Sequence, residues 1–111
     1  YLDADLLNAT MDKFDTKNIA ELTPTNNAWF LELYHGKTAA FKDMALSILP
    51  YLMTTSVKKV GEKNRICILT ATSGDTGKAA LEGFSNVDGT EIQIKLDGAS
   101  LATTTLLAKL T

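Results

Sequence analysis

The spacing of apolar side chains predicts an alternation of helices and strands along the whole chain. Residues 2–14 place their apolar side chains on one helical face, with acidic residues near the start. Residues 19–22 could form a short strand, and residues 29–34 alternate as a second strand. A turn cluster at 23–27 separates them. The first third of the chain is therefore expected to fold as a helix followed by two strands.

A second, longer helix is predicted after a turn at Gly36. Thr38 is a plausible N-cap residue for it. The apolar positions then follow the i, i+3, i+4, i+7 spacing of a helix with one buried face: Phe41, Met44, Ala45, Ile48, Leu49, Leu52 and Met53. Pro50 cannot donate a hydrogen bond to the carbonyl of Leu46, so we expect the helix to kink or end near Leu49. Residues 54–65 are expected to form a solvated, basic connector.

The middle of the chain carries the signature of a parallel sheet. Residues 66–72 are a continuous apolar, β-branched run, typical of a central parallel strand. A small loop at 73–77 leads into a helix over 77–84, and residues 91–96 alternate as a further strand. This order implies right-handed βαβ crossovers. The predicted fold class is α/β, with three layers and a mostly parallel sheet flanked by helices.

Residues 97–111 do not follow these patterns. A weak helix is conceivable there, but three consecutive threonines at 103–105 argue against it. We therefore treat residues 1–96 as one α/β unit and leave 97–111 as an unassigned tail.

Composition excludes several classes of function. The chain has 111 residues and a net charge of −2, without a basic patch that would indicate nucleic acid or an anionic membrane. No apolar run approaches the roughly 20 residues of a membrane helix, and the acidic start does not resemble a signal peptide. Cys67 is the single cysteine, which favours a reducing, cytoplasmic compartment, and we expect it to be a buried structural thiol. The acidic residues form no metal-ligand cluster.

Two loops could carry chemistry. The loop Ser73-Gly-Asp-Thr-Gly77 joins a central strand to a helix, where backbone N–H groups and hydroxyls can bind phosphate or carboxylate. The alternative is a tight turn in which Ser73 or Thr76 merely caps the helix. Neither this loop nor residues 36–38 has the glycine spacing of a P-loop.

Lys42 begins the long helix in an apolar stretch. Apolar surroundings and the positive end of a helix both favour the neutral, nucleophilic form of an amine. The alternative is a surface lysine paired with Asp43. His35, beside the turn, is expected to be a hydrogen-bonded anchor rather than a catalyst.

The residues 31–45, LELYHGKTAAFKDMA, and 68–84, ILTATSGDTGKAALEGF, together closely resemble the threonine synthase family. The resemblance extends over about residues 14–92. It implies a pyridoxal-phosphate (PLP) enzyme of fold type II, also called the tryptophan-synthase-β-like fold. The reaction it implies converts O-phosphohomoserine and water to threonine and phosphate.

The resemblance also implies roles for individual residues. Lys42, next to Phe41 in the cofactor site, would form the internal aldimine with PLP. Asp75 would lie near the ring hydroxyl of the cofactor. The loop would bind the carboxylate of the substrate through Thr72, Ser73, Gly74, Asp75 and Thr76. It implies no metal, and leaves the oligomeric state open.

The chain also departs from the family pattern. Lys37 stands where proline is common, and the late glycine-rich loop and the Ser or Thr that hold the cofactor phosphate and pyridine nitrogen are missing. We therefore expect an N-terminal fragment, or a chain closed up over gaps, that is inactive alone. One alternative is a sister enzyme of the dehydratase or cysteine-synthase type, whose loop would carry asparagine in place of Asp75. The other is a non-catalytic α/β module that binds phosphate or carboxylate.

Overall fold

The computed structural model describes residues 3–72, 74–96 and 106–108. Within these ranges the chain forms three helices and five strands: α1 (Ala4–Met11), β1 (Glu21–Pro24), β2 (Trp29–Glu32), α2 (Asp43–Val60), β3 (Ile66–Thr72), α3 (Asp75–Phe84), β4 (Thr90–Leu96) and β5 (Leu106–Ala108).

The strands form two separate sheets. β3 and β4 pair in parallel and are joined through α3, which is the predicted βαβ unit. β5 pairs antiparallel to β4, so the sheet order is β3-β4-β5. β1 and β2 form an antiparallel pair of their own. The α/β class is confirmed, with the difference that β2 belongs to this hairpin and not to the parallel sheet.

α1 is shorter than the helix predicted over 2–14. The carboxylate of Asp3 accepts a hydrogen bond from the N–H of Leu6 at 2.9 Å and so caps its start. Beyond its end, Lys13 donates to the carbonyl of Gly83 at 2.9 Å, and its ammonium lies 4.9 Å from the centre of the Tyr51 ring. Burial lowers the pKa of Lys13, partly offset by the charge of Glu82. This lysine ties the start of the chain to the end of α3.

The prediction that α2 ends near Leu49 is wrong, because the helix continues through Pro50 to Val60. The alternative, a kink near Leu49, stays a prediction. It ends at Gly61, whose left-handed backbone (φ 72°) lets the N–H groups of Gly61 and Glu62 bond back to the last turn. Pro50 is among the most completely buried side chains. The apolar surface it buries helps to offset the missing hydrogen bond.

The close packing of α2 on α3 explains how the helix tolerates the proline. A Cβ on Gly83 would overlap the carbonyl oxygen of Leu46, so the backbone of α3 approaches that oxygen directly. This is the carbonyl to which Pro50 cannot donate. The polarised Cα–H of a glycine can partly satisfy such an oxygen. Packing between the two helices therefore overrides the local effect of the proline.

The core lies between the helices and β4. It centres on Phe84, Ile92 and Ala80, and partly buried side chains surround it: Leu46, Met53, Ile68 and Leu81. Ile92 is 0% exposed and faces this core. β3 alternates between half-buried and exposed positions, and Leu69 on its outer face is 77% exposed. The expectation that Cys67 is buried is wrong, because this thiol is exposed on the same outer face.

The tail contains one described element. Residues 106–108 form β5, a strand for which the sequence pattern made no prediction. The other tail residues, 97–105 and 109–111, and Ser73 of the predicted binding loop lie outside the described residues. The division into residues 1–96 and 97–111 stays a prediction.

Candidate functional site

The turn before α2 is built around the carboxylate of Asp43. This side chain is 3% exposed. One of its oxygens accepts from the N–H of Thr38 at 2.8 Å, and the other accepts from the Thr38 hydroxyl at 2.7 Å. A Cβ on Gly36 would overlap Asp43, so only glycine fits there. The chain between Gly36 and α2 is therefore wrapped around one buried charged group.

This arrangement corrects the predicted role of Thr38. The residue at the N-cap of α2 is Lys42, which makes no side-chain capping bond in the described part of the chain. Thr38 lies five residues before Asp43 and binds its side chain, so it anchors the turn rather than caps the helix. Asp43 is accordingly held by Thr38, and no ion pair with Lys42 is found among the described residues.

Lys42 lies at the junction of this turn and the helix. Its side chain is half-buried, and its ammonium is 5.6 Å from the centre of the Phe41 ring. Phe41 itself is 61% exposed. The carbonyl of Lys42 already accepts the first helical hydrogen bond, from Leu46 at 3.0 Å. The backbone of Lys42 is thus fixed while its flexible stem extends over an exposed aromatic ring.

His35 is a structural anchor next to this turn, as predicted. Its Nδ1 lies 2.6 Å from a carboxylate oxygen of Asp15, and its Nε2 lies 2.8 Å from one of Glu32. A histidine donates through both ring nitrogens only when it is protonated. The hydrogen bond to Glu32 has the largest effect and, together with the bond to Asp15, raises the pKa of His35 above its ordinary value. Burial acts in the opposite direction but does not cancel this rise. We call this three-residue cluster the His35 clamp.

The clamp joins the segment after α1 to β2 and to the turn that follows β2. The N–H of Asp15 donates to the carbonyl of His35 at 3.0 Å, and Phe14 forms an isolated bridge with Gly36. Glu32 belongs to β2, and its other oxygen accepts from the Thr23 hydroxyl of β1 at 2.7 Å. The hairpin and the segment after α1 are therefore both fastened to the turn that leads to Lys42.

The second predicted loop forms the start of α3. The helix begins at Asp75, two residues earlier than predicted, so Asp75, Thr76 and Gly77 belong to its first turn. Gly74 precedes the helix with a φ of 147°, a backbone conformation that residues with a side chain rarely adopt. Its N–H donates to the Thr72 hydroxyl at 3.2 Å. Within the described residues, no side chain caps this helix.

Within the described residues, the space beside Gly74 at the start of α3 is open. Apart from Gly74 and its chain neighbours, no described heavy atom lies within 4 Å of the position that a Cβ on Gly74 would occupy. Uncapped N–H groups at a helix start attract anions. Thr72 and Thr76 are half-buried there, and Asp75 is exposed. These features fit the carboxylate-binding role that the resemblance implies for this loop.

The structure brings the two helices together near Lys42. Leu46, one turn after Lys42, packs against Gly83 in the last turn of α3. The predicted loop precedes the first turn of that same helix. The contacts of Lys42 that the structure describes lie within its own segment, so its approach to residues 72–77 stays a prediction.

Sequence reasoning missed the acidic residues that organise this site. Asp43 entered only as a possible partner of Lys42, and Asp15 and Glu32 only as acids that form no metal cluster. No group of three or more potential metal ligands occurs among the described residues. The apolar periodicity could not identify Asp43, because α2 buries the face that carries Asp43, Ser47 and Pro50, whereas Met44 and Leu49 of the predicted face are 39% and 38% exposed.

Comparison with curated proteins finds one consistent group of relatives. The threonine synthase of Pseudomonas aeruginosa is 46% identical over 96 residues, which cover 83% of this chain and 20% of the relative. The threonine synthase of Saccharomyces cerevisiae is 38% identical over 96 residues, covering 74% of this chain and 19% of the relative. No protein-family model matches the chain. The chain thus spans about a fifth of the length of these relatives.

Solved structures give the same result. A threonine synthase from Brucella melitensis, solved with PLP bound, matches with a TM-score of 0.74 at 37% identity, over 84% of this chain and 20% of that one. The yeast threonine synthase matches with a TM-score of 0.75 at 30% identity, over 86% and 21%. The fold is therefore that of a segment of these threonine synthases. Sequence and structure together assign the chain to the threonine synthase family.

Within the described ranges, no helix is long and apolar enough to cross a membrane.

Proposed function

We propose that this chain supplies the cofactor lysine and the substrate-carboxylate loop of a threonine synthase, which converts O-phosphohomoserine and water to threonine and phosphate. The observation that carries the proposal is the placement of Lys42. It is a half-buried amine at the start of a helix, on a backbone locked by the buried Asp43, within a segment 46% identical to a threonine synthase.

The residues present fit PLP as far as this segment extends. Lys42 would bind it covalently, with Phe41 beside the amine and Asp75 near the cofactor ring. When bound, PLP supplies an electron sink for the carbanions formed at the substrate. The open, uncapped start of α3 supports the role of the loop, because its N–H groups suit an anion.

Each residue then has a physical task. The N–H groups of Asp75 and Thr76, with the hydroxyls of Thr72, Ser73 and Thr76, would hold and orient the substrate carboxylate. The N–H of Gly74 already donates to the Thr72 hydroxyl and would orient it. The amine of Lys42 would accept and return protons at the substrate carbons. Release of phosphate requires donors that meet its developing charge.

The proposal includes the setting of the enzyme. Its substrate is a small phosphorylated amino acid, and it requires neither a metal nor nucleic acid. The single cysteine of the chain, exposed at Cys67, suits a reducing, cytoplasmic compartment. Because the chain spans about a fifth of its relatives, activity is expected from the whole enzyme rather than from this segment alone.

The test uses the whole protein that carries this chain. It is incubated with PLP, reduced with borohydride and digested, and the modified lysine is located by mass spectrometry. We expect the label on Lys42, and phosphate release from O-phosphohomoserine that Lys42→Ala reduces at least about a thousandfold. Lys17→Ala, at an exposed lysine outside the site, is the matched control and should behave as the parent.

Other results would point elsewhere. Labelling of a different lysine, or none, would overturn the role of Lys42. Labelling of Lys42 with formation of oxo acids from serine or threonine, but no phosphate release, would indicate a dehydratase. Carboxylate binding without covalent attachment of PLP would indicate a non-catalytic module. Asp75 and the sequence identity to threonine synthases favour labelling of Lys42 with phosphate release over these results.

A further inference from the structure

The buried carboxylate next to Lys42 has a role that the ion-pair interpretation does not explain. Asp43 is 3% exposed, and a buried charge is costly unless its oxygens have hydrogen-bond donors. Both donors come from a single residue, Thr38: its N–H at 2.8 Å and its hydroxyl at 2.7 Å. The charge therefore serves to hold this turn.

The turn has little freedom to adopt another shape. Gly36 has no room for a side chain, because a Cβ there would overlap Asp43. Ala39 has a positive φ of 58°, which costs free energy for a residue with a Cβ, and its N–H donates to the Gly36 carbonyl at 3.0 Å. The N–H of Asp43 donates to the Ala40 carbonyl at 2.9 Å. These contacts leave one arrangement of the turn around the carboxylate.

Lys42 connects this turn to the helix. Its backbone lies directly before Asp43 and is held on the other side by the hydrogen bond from Leu46 at 3.0 Å. A lysine amine is carried on a flexible stem of four carbons, so the positions that the amine can occupy depend on where the backbone is fixed. Small displacements of a reacting group can cost large factors in rate.

We propose that Asp43 is the positioning residue of Lys42. Through Thr38 it fixes the turn from which Lys42 emerges, and so sets the direction in which the amine approaches the cofactor. The inference rests on the proposed function, in which Lys42 binds PLP. Asp43 contacts neither cofactor nor substrate in this role, and acts only through the backbone of its neighbour.

Thr38 is the better residue to change. Asp43→Ala would leave a gap and an unpaired N–H and hydroxyl on Thr38, and the protein could lose its fold for that reason alone. Thr38→Val removes one of the two hydrogen bonds at almost constant volume. Thr38→Ser restores the hydroxyl. Thr54→Val is the matched control, because it removes a half-buried hydroxyl that bonds within α2, to the Tyr51 carbonyl at 3.2 Å.

The experiment measures two rates and a melting temperature in the whole protein. The first rate is the covalent attachment of PLP, followed by absorbance. The second is acylation of Lys42 by a small amine reagent in the cofactor-free protein, quantified by mass spectrometry against Lys17 in the same sample. Neither rate requires catalytic turnover.

We expect the two rates to change in opposite directions in Thr38→Val. Attachment of PLP slows about tenfold, the effect of losing one hydrogen bond to a charged group that holds the geometry. Acylation of Lys42 relative to Lys17 increases severalfold, because the half-buried amine is released. Thr38→Ser stays near the parent. Thr54→Val changes neither rate, even if it lowers the melting temperature as much as Thr38→Val does.

The inference is overturned if Thr38→Val and Thr54→Val give the same rates at matched stability, or if Thr38→Ser fails to restore them. Failure of the proposed function gives a separate result, in which the parent does not attach PLP at Lys42. In that case the acylation rate still decides whether Thr38 and Asp43 hold the lysine. An unchanged acylation rate in Thr38→Val would refute that as well.

Discussion

Two regions of the molecule are held together by different forces. The Phe84 core, formed by α2, α3 and β4, buries Phe84 and Ile92 to 1% and 0% exposure. The hairpin–turn region, residues 21–43, leaves Trp29 and Phe30 at 66% and 60% exposure and is fastened by carboxylates instead.

The hairpin–turn region is held by short hydrogen bonds to carboxylates. The His35 clamp joins the hairpin to the segment after α1, and Asp43 holds the turn before Lys42. Apolar burial is insensitive to pH and tolerant of small shifts, whereas hydrogen bonds to charged groups fix direction and depend on protonation. The core thus supplies stability, and the hairpin–turn region supplies geometry.

The largest expected effect comes from removing the centre of the core. Phe84→Ala should lower the free energy of unfolding by about 3–5 kcal/mol, through lost burial and the cavity left behind. Trp29→Ala removes a larger but exposed side chain and should cost within about 0.5 kcal/mol. Denaturant unfolding followed by circular dichroism measures both. Equal losses would contradict the division between the two regions.

A smaller effect is expected where the helices touch. Gly83→Ala should destabilise the protein by about 1–3 kcal/mol, because the added methyl group overlaps the Leu46 carbonyl. In most helix interiors this change stabilises by nearly 1 kcal/mol, so the sign itself is diagnostic. Lys78→Ala, at an exposed position of α3, should stay within about 0.5 kcal/mol. Stabilisation by Gly83→Ala would refute the close approach.

The smallest expected effect is a pH dependence of the His35 clamp that the Phe84 core does not share. The raised pKa of His35 means that its contribution is complete below the ordinary histidine pKa and is lost as pH rises through the folded-state value. The hydrogen bond from Thr23 has the largest effect on Glu32 and, together with the bond from His35, lowers its pKa. The contribution of Glu32 to stability is therefore lost as pH falls through that lowered value. The clamp therefore contributes in full between the ordinary pKa values of glutamate and histidine, and its contribution falls as pH passes beyond them toward the shifted values.

Hydrogen exchange can detect this window. The backbone N–H of Asp15 donates to His35, and its protection, corrected for intrinsic exchange, should fall severalfold on both sides of the window. Amides in α3 should not follow this profile. In His35→Ala the alkaline step should disappear. A protection that does not vary with pH would show that the imidazole is not charged in the clamp.

Elements defined by strong local patterns were predictable. The bounds of β3, 66–72, match the prediction, and β4 begins one residue earlier than predicted. The passage of α2 through Pro50 was not predictable, because it depends on the packing of Gly83, 33 residues further along the chain. The exposure of Cys67 also escaped prediction, since a fully apolar strand usually has both faces covered.

The residues of the candidate site follow from the resemblance around Lys42, and their roles stay predictions. The contacts that support this segment were not predicted. The anchoring by Thr38 and Asp43 required the shape of the turn, and the His35 clamp required the pairing of Phe14 with Gly36. Contacts between distant segments leave no periodic signal in a sequence.

The outward-facing thiol of β3 makes the chain its own reporter. Cys67 is the single cysteine of these 111 residues, so a maleimide dye would label this segment at a known position without any mutation. The dye would sit beside Leu69 on the uncovered apolar surface of the strand. Its emission wavelength would therefore shift when another part of the protein or a partner covers that surface and excludes water from it.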